Sequence, residues 1–130
     1  MNNGNKDLKV YQKAYKVAME IFLITKSFPI EERYSLTDQV RRSSRSVCVN
    51  IAEGYRKRIY PKHFVSKLSD ADSEAGETTV HLDFAKDCGY IDENKYKLLI
   101  EHYSEVGKML GSMMTSPEKF LPKKSLPTAN

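Results

Sequence analysis

Residues Ser35–Arg58 read SLTDQVRRSSRSVCVNIAEGYRKR, and this stretch decides the fold. Leu36, Val40, Ser44, Val47, Ile51 and Gly54 recur at intervals of four and three, which is one face of an α-helix. Val40, Val47 and Ile51 supply burial, each worth roughly 1.5–3 kcal/mol when taken fully out of water. Ser43, Ser44, Ser46, Ala52 and Gly54 are small, so a second backbone can approach this helix closely. Ser35 precedes the first apolar residue and Asp38 follows three positions later, a capping-box pattern with Asp in place of Glu or Gln. Arg41, Arg42 and Arg45 form a neighbouring stripe. Arg56, Lys57, Arg58 and Lys62 gather past the other end, where cations favour the helix dipole.

Asn50 and Glu53 flank Ile51 close to the apolar stripe. A buried amide or carboxylate without a partner is costly. Together with Gly54 they read as register and packing residues, a satisfied hydrogen-bond pair that fixes how this helix sits on its neighbour. A polar site between helices is the alternative.

Outward from this helix the same periodicity repeats. Val10, Ala14, Val17, Ile21, Ile24 and Phe28 make a heptad-like seam in a first helix over Leu8–Ser27, widened by Tyr11, Ala18 and Phe22 as a bundle helix requires. Phe28-Pro29 ends it, because the residue before a proline is pushed out of the α region. Phe28 and Tyr34 are expected to cap the core there. After Ile59-Tyr60, Pro61 suits the first turn of a third helix running to Asp87. Its stripe is Phe64, Leu68, Ala71, Ala75, Thr78, Leu82 and Ala85. Gly76 costs about 1 kcal/mol in a helix interior, which suggests close approach of another backbone. Gly89 is a C′ residue, and Asp92 caps a fourth helix with the stripe Tyr96, Leu99, Tyr103, Val106, Leu110 and Met113.

No strand pattern interrupts these four segments. The expected fold is all-α, an antiparallel up-down-up-down four-helix bundle with left-handed packing near +20°. The bundle domain spans residues 8–115. Residues 1–7 read as a disordered or fraying start. Residues 116–130, with Lys119, Lys123 and Lys124 and three prolines, read as a tail that docks briefly through Phe120 and Leu121.

The chain has 130 residues, 40% hydrophobic and 29% charged, which suits one domain with a single core. No run of about 18 apolar residues exists for a membrane span, and MNNGNKDLKV lacks a signal-peptide core, so the expected location is cytoplasmic. Cys48 and Cys88 read as free thiols packed as small hydrophobes. The net charge is +4, but it is unevenly placed. Leu36–Lys62 carries seven Lys/Arg against two Asp/Glu, a balance of +5, while His63–Asn94 carries two against eight, a balance of −6.

No catalytic constellation is present and no cofactor is expected. Asp70, Asp72, Glu74 and Glu77 lie within two turns, but a di-iron bundle site needs Glu-x-x-His, and His63, His81 and His102 have no Glu three residues earlier. No metal site is therefore assigned, and no strained elbow or phosphate-cradling loop is seen. The basic cluster is the functional lead. Arg41, Arg42, Arg45, Arg56, Lys57, Arg58 and Lys62 are candidate contacts to nucleic-acid phosphates, with Tyr55 and Tyr60 among them as stacking surfaces. The equally physical alternative is that the arginines salt-bridge to third-helix acids, within one subunit or between subunits.

The stretch Phe28–Arg58 resembles the 23S rRNA intervening-sequence protein family. It carries Phe28, Pro29, Glu32, Tyr34, Leu36, Gln39, Arg41, Arg42, Ser46 and the run Asn50-Ile51-Ala52-Glu53-Gly54 at matching places. The likeness extends more weakly over Leu8–Lys26 and Phe64–Ile91. Ser43 stands where the family usually has Ala, and Ser73-Glu74 where it has Gly-Ser. Glu77, expected with Asn50, Glu53 and Gly54 to set helix packing and register, stands where the family also carries a Glu. The resemblance implies a small four-helix bundle, a link to intervening sequences of 23S rRNA, and ring-shaped homo-oligomers, pentamers in the family's pattern. The expectation is a non-enzymatic, self-assembling protein presenting a basic surface to structured RNA or DNA. The alternative is an adaptor homo-oligomer that binds a protein partner and uses its arginines between subunits.

Overall fold

A computed structural model describes residues 4–122. Among these residues the chain is all-helical: α1 (Lys9–Thr25), α2 (Leu36–Arg56), α3 (Pro61–Asp87) and α4 (Glu93–Thr115), with short 3-10 turns at Gly4–Asp7, Ile30–Glu32 and Pro117–Phe120. Each helix packs on the next and α1 closes against α4. The core runs through all four helices, and Ile21, Ile51, Phe64, Leu68, Leu99 and Leu110 are among its fully enclosed side chains. All seven residues of the expected α3 stripe are buried. So is the α4 stripe from Leu99 to Met113, with Tyr96 partly buried against it.

Helix α2 packs most extensively on α3. The two run in opposite directions: Ser43 shares a 2.8 Å hydrogen bond with Thr78, while about 15 Å further along Glu53 meets Lys67 at 2.9 Å. Ser43 and Thr78 are both fully buried, so their mutual hydrogen bond satisfies two hydroxyls that no water reaches and favours a single register. The expected Asn50–Glu53 pair does not perform this task. Asn50 donates to the Ser46 carbonyl one turn back at 2.9 Å, and Glu53 is exposed and bound to Lys67. Both point off the apolar stripe, so neither needed a buried partner. Gly54 does allow close packing: a Cβ there would stand 3.2 Å from Lys67 Cβ and 3.5 Å from the Phe64 carbonyl. At Gly76 nothing lies within 4 Å, so the close approach expected there does not occur within the protomer. Its Cα faces the outside of α3, away from the Ala71–Ala75–Thr78 seam.

The start of α2 corrects a second expectation. Ser35 occupies the N-cap but makes no capping bond with its side chain, because its backbone (φ −122°, ψ −100°) is outside the region that aims the hydroxyl at the first turn. Glu32 supplies the cap instead. Its carboxylate accepts from the Leu36 N–H at 3.3 Å, from the Ser35 hydroxyl at 2.6 Å and, through its other oxygen, from the Tyr90 hydroxyl at 2.8 Å. These bonds, Ser35 first, hold the Glu32 carboxyl below its ordinary range. The stabilisation is full above the ordinary glutamate pKa and is lost as pH falls through the depressed folded-state value. Glu32→Gln is therefore expected to lower the melting temperature at neutral pH and to flatten its decline as pH falls below the ordinary glutamate pKa. Thermal scans across that range check this, and an unchanged slope would remove Glu32 from the account.

Several expectations at the ends are also corrected. Phe28 caps the core, its ring 5.3 Å from Tyr90, but Tyr34 is 83% exposed because the turn before Ser35 carries it outward. In the last turn of α1 Thr25 is buried outright while Ile24 packs partly buried against the core, since 3.6 residues per turn drift off a strict heptad seam. Cys48 is buried but Cys88 is exposed, lying past Ala85, the last buried residue of α3. Residues 4–7 form a 3-10 turn packed on α1 and α2, while residues 1–3 of the expected fraying start lie outside the described residues. At the other end Phe120 rests on Phe64 with ring centroids 5.5 Å apart, as the docked tail required; Lys123 and Lys124 lie outside the described residues. Asp92 caps α4 by accepting from the Lys95 N–H at 2.7 Å. Gly89, at φ +79°, ends α3 with the Tyr90 N–H on the Ala85 carbonyl and its own N–H on that of Lys86, the double bond of a Schellman turn.

One polar atom in the core is unsatisfied. The Tyr103 hydroxyl is buried beside Thr78 without a hydrogen bond of good geometry among the described residues, and burial, the largest influence, pushes its phenol pKa up. An orphan buried hydroxyl costs about 1–3 kcal/mol. Tyr103→Phe keeps the ring and removes the orphan, so urea unfolding is expected to show a gain of about 1 kcal/mol at unchanged m-value. A loss would mean that the hydroxyl is bonded in solution.

Candidate nucleic-acid interface

The seven candidate cations fall into two groups once their neighbours are known. Arg41 is held by α1. Its Nε donates to the Thr25 hydroxyl at 2.7 Å, an Nη donates to the Phe22 carbonyl at 3.4 Å, and the guanidinium lies 4.8 Å from the Phe22 ring centre. It thus neutralises the carbonyl end of α1 while stacking on its last aromatic residue. Thr25 was missed in the sequence because a lone threonine beside Ile24 reads as surface. Its own hydroxyl is satisfied by the Ile21 carbonyl at 2.7 Å, which makes its burial tolerable.

Arg42 is held by α3. It pairs with Glu77 and, at 3.4 Å, with Glu74. His81 adds a 3.1 Å contact to the same Glu77 oxygen, and His81 with Arg42 lowers the Glu77 pKa. This is the intrasubunit salt bridge to the acidic third helix. Arg58 folds back on its own turn, donating to the Tyr55 carbonyl at 2.9 Å with its guanidinium 4.0 Å from the Tyr55 ring centre.

The remaining cations point outward. Arg45 is exposed beside Phe22, and Arg56, Lys57 and Lys62 are exposed at the junction of α2 and α3. None of these four makes a salt bridge among the described residues. The fold adds cations that are remote in sequence. Lys6 stands in the 3-10 turn that packs on α2, and Lys119 in the one that packs on α3 and α4. One end of the bundle therefore gathers Lys6, Arg56, Lys57, Arg58, Lys62 and Lys119. Arg33, also unnoticed in the sequence, joins Arg41, Arg42 and Arg45 along an open groove at the other end of α2. Arg41 and Arg42 are engaged by hydrogen bonds and ion pairs as above, while Arg33 and Arg45 each lie 5.8 Å from an aromatic ring centre, of Tyr34 and of Phe22.

Among the described residues no three His, Cys, Asp or Glu side chains are grouped to hold a metal ion, and no helix is long and apolar enough to cross a membrane. Cationic heads presented on rigid helix ends can bind phosphate oxygens.

The family whose model matches residues 6–112 is described as 23S rRNA-intervening sequence protein. A solved structure of a protein of unknown function from the S23 ribosomal protein family of Bacteroides thetaiotaomicron is similar at a TM-score of 0.74 and 27% identity, over 82% of this chain and 95% of the other. No curated protein matches the chain.

Proposed function

Because the chain belongs to the 23S rRNA-intervening sequence protein family, we propose that it is a non-enzymatic, self-associating, cytoplasmic bundle that holds structured RNA through its basic end. The observation that carries this reading is the gathering of Arg56, Lys57 and Lys62 with Lys6 and Lys119 at one end of the molecule, their heads exposed. Such a surface engages the phosphate backbone and the shape of a folded RNA, not base edges. Tyr60, exposed beside these cations and edge-on to His63, offers a face on which an unpaired base stacks. RNA carrying an intervening-sequence hairpin is the natural ligand to try. DNA of the same charge density is the control.

The competing adaptor reading places the arginines between subunits. Arg41 and Arg42 already direct part of their N–H groups to partners inside the protomer, which leaves fewer donors for that use. Fluorescence anisotropy with a labelled RNA hairpin tests the proposal. Affinity is expected to fall about a hundredfold between roughly 50 and 200 mM salt if four phosphates are neutralised. No binding at the lower salt would overturn it.

A further inference from the structure

A groove between α1 and α2 is lined by Tyr11, Tyr15, Ala18, Met19, Val49 and Ala52, and it continues along α1 to Leu23. Tyr15, Met19, Leu23 and Val49 are between 45% and 59% exposed. The run from Tyr11 to Leu23 is about 18 Å long, so its apolar exposure is continuous rather than scattered. Its rim carries Lys6, Lys16, Arg45 and Arg56 against Glu20 and Glu53, and Glu53 is already bound to Lys67. The groove is apolar in the middle and cationic at the edge.

A second surface has the opposite character. On the outward side of α3, Val80 and Phe84 are 50% and 59% exposed. Asp83 and Asp87 flank Phe84, and both are exposed. Glu77 lies one turn before Val80–His81. Glu77 is already paired with Arg42 and His81, and Asp83 accepts from the Tyr96 hydroxyl. Lys86 sits over the Tyr96 ring at 4.4 Å and reaches Asp87 at 3.8 Å, so Asp83 and Asp87 are the exposed acids of this face.

We propose that the α3 face of one copy docks in the α1–α2 groove of a second copy of this chain, which deepens the self-association named above and rests on it. Charge decides the pairing. Two grooves face to face would bring the Lys16, Arg45 and Arg56 rims together, and two α3 faces would oppose their acids; like charges across an interface suppress such contacts. Groove against α3 matches cation to acid while Val80 and Phe84 enter among Tyr15, Met19 and Val49, the helix-in-groove mode. The contact uses different surfaces on the two copies, so it repeats around a ring or along a filament instead of ending at a dimer. In a closed ring every basic end occupies an equivalent place about one axis, which multiplies the phosphate contacts available to one RNA.

Two double variants at exposed positions test the pairing: Met19→Asp/Val49→Asp for the groove, and Val80→Asp/Phe84→Asp for α3, each checked for wild-type helicity by circular dichroism. Sedimentation equilibrium of the full chain is expected to give an oligomer for the wild type, a monomer for each variant alone, and a species of twice the monomer mass for their equimolar mixture, because each variant keeps the face its partner lacks. A mixture that stays monomeric, or variants that keep the wild-type mass, would overturn the pairing and leave self-association standing. A wild type that is monomeric would overturn both. A groove variant of wild-type mass that loses the RNA hairpin would assign the groove to RNA and overturn the pairing too. The mass readout is independent of RNA affinity, so failure of the RNA reading leaves it unaffected.

Discussion

Reversing three charges outside the α1–α2 groove, Lys57→Glu with Lys62→Glu and Lys119→Glu, is expected to weaken binding of a structured RNA about a hundredfold at low salt and to lower the slope of log affinity against log salt by about 2 to 3. The three heads are exposed and unpaired among the described residues, so the loss falls on the ligand and not on the fold; an unchanged melting temperature checks that. Arg41→Ala and Arg42→Ala make the contrast. They remove the bonds to Thr25 and Phe22 of α1 and to Glu74 and Glu77 of α3, and they are expected to lower stability while leaving RNA affinity within about threefold. The converse result, with Arg41 and Arg42 dominating affinity, would move the interface to the open groove they share with Arg33 and Arg45.

The largest effect on stability is expected at a glycine. Gly54→Leu must place a side chain where Lys67 Cβ, Leu68 Cδ2 and the Phe64 carbonyl already stand within 3.2–3.5 Å of the first carbon. The Phe64 oxygen is backbone and cannot swing aside, so α2 and α3 must separate along their most extensive contact. Overpacking of this kind costs about 3 kcal/mol, and the separation would also stretch the Ser43–Thr78 hydrogen bond. Gly76→Ala makes the opposite case. Nothing lies within 4 Å of the new carbon, so only the helix preference for Ala acts, a gain of about 0.5–1 kcal/mol. Urea unfolding of the pair decides it: equal effects at the two glycines would mean that helix propensity, not interhelical distance, sets their role. If Gly76→Ala instead breaks an oligomer, its open surface belongs to a subunit contact.

The apolar periodicities carried over almost residue for residue. Phe64 to Ala85 and Leu99 to Met113 are buried as their spacing required, because a helix exposes its faces at a known period and one face of each must leave water. Pro61, Gly89 and Asp92 marked ends correctly, since each acts through the backbone of its own turn. Where a polar group finds its partner depends on other helices, and there the local pattern was insufficient. Ser35 looked like a cap, but Glu32, drawn also by Tyr90 from 58 positions away, performed it. Asn50 and Glu53 looked like the register pair, but Ser43 and Thr78 form it.

By itself, then, the sequence determined an all-α chain of four amphipathic helices, the residues that fill its core, and the cationic content of its second helix. Hydrophobic burial and helix period are properties of short stretches, and they act whatever the partner. Only the tertiary structure decided which of seven similar cations are spent inside the molecule and which face outward, which of two mid-helix glycines is crowded, and that Lys6 and Lys119 join Arg56, Lys57 and Lys62 at one end. Charge pairing and close packing are settled by distances of a few ångströms between residues remote in the chain, and those distances exist only once the helices have been brought together.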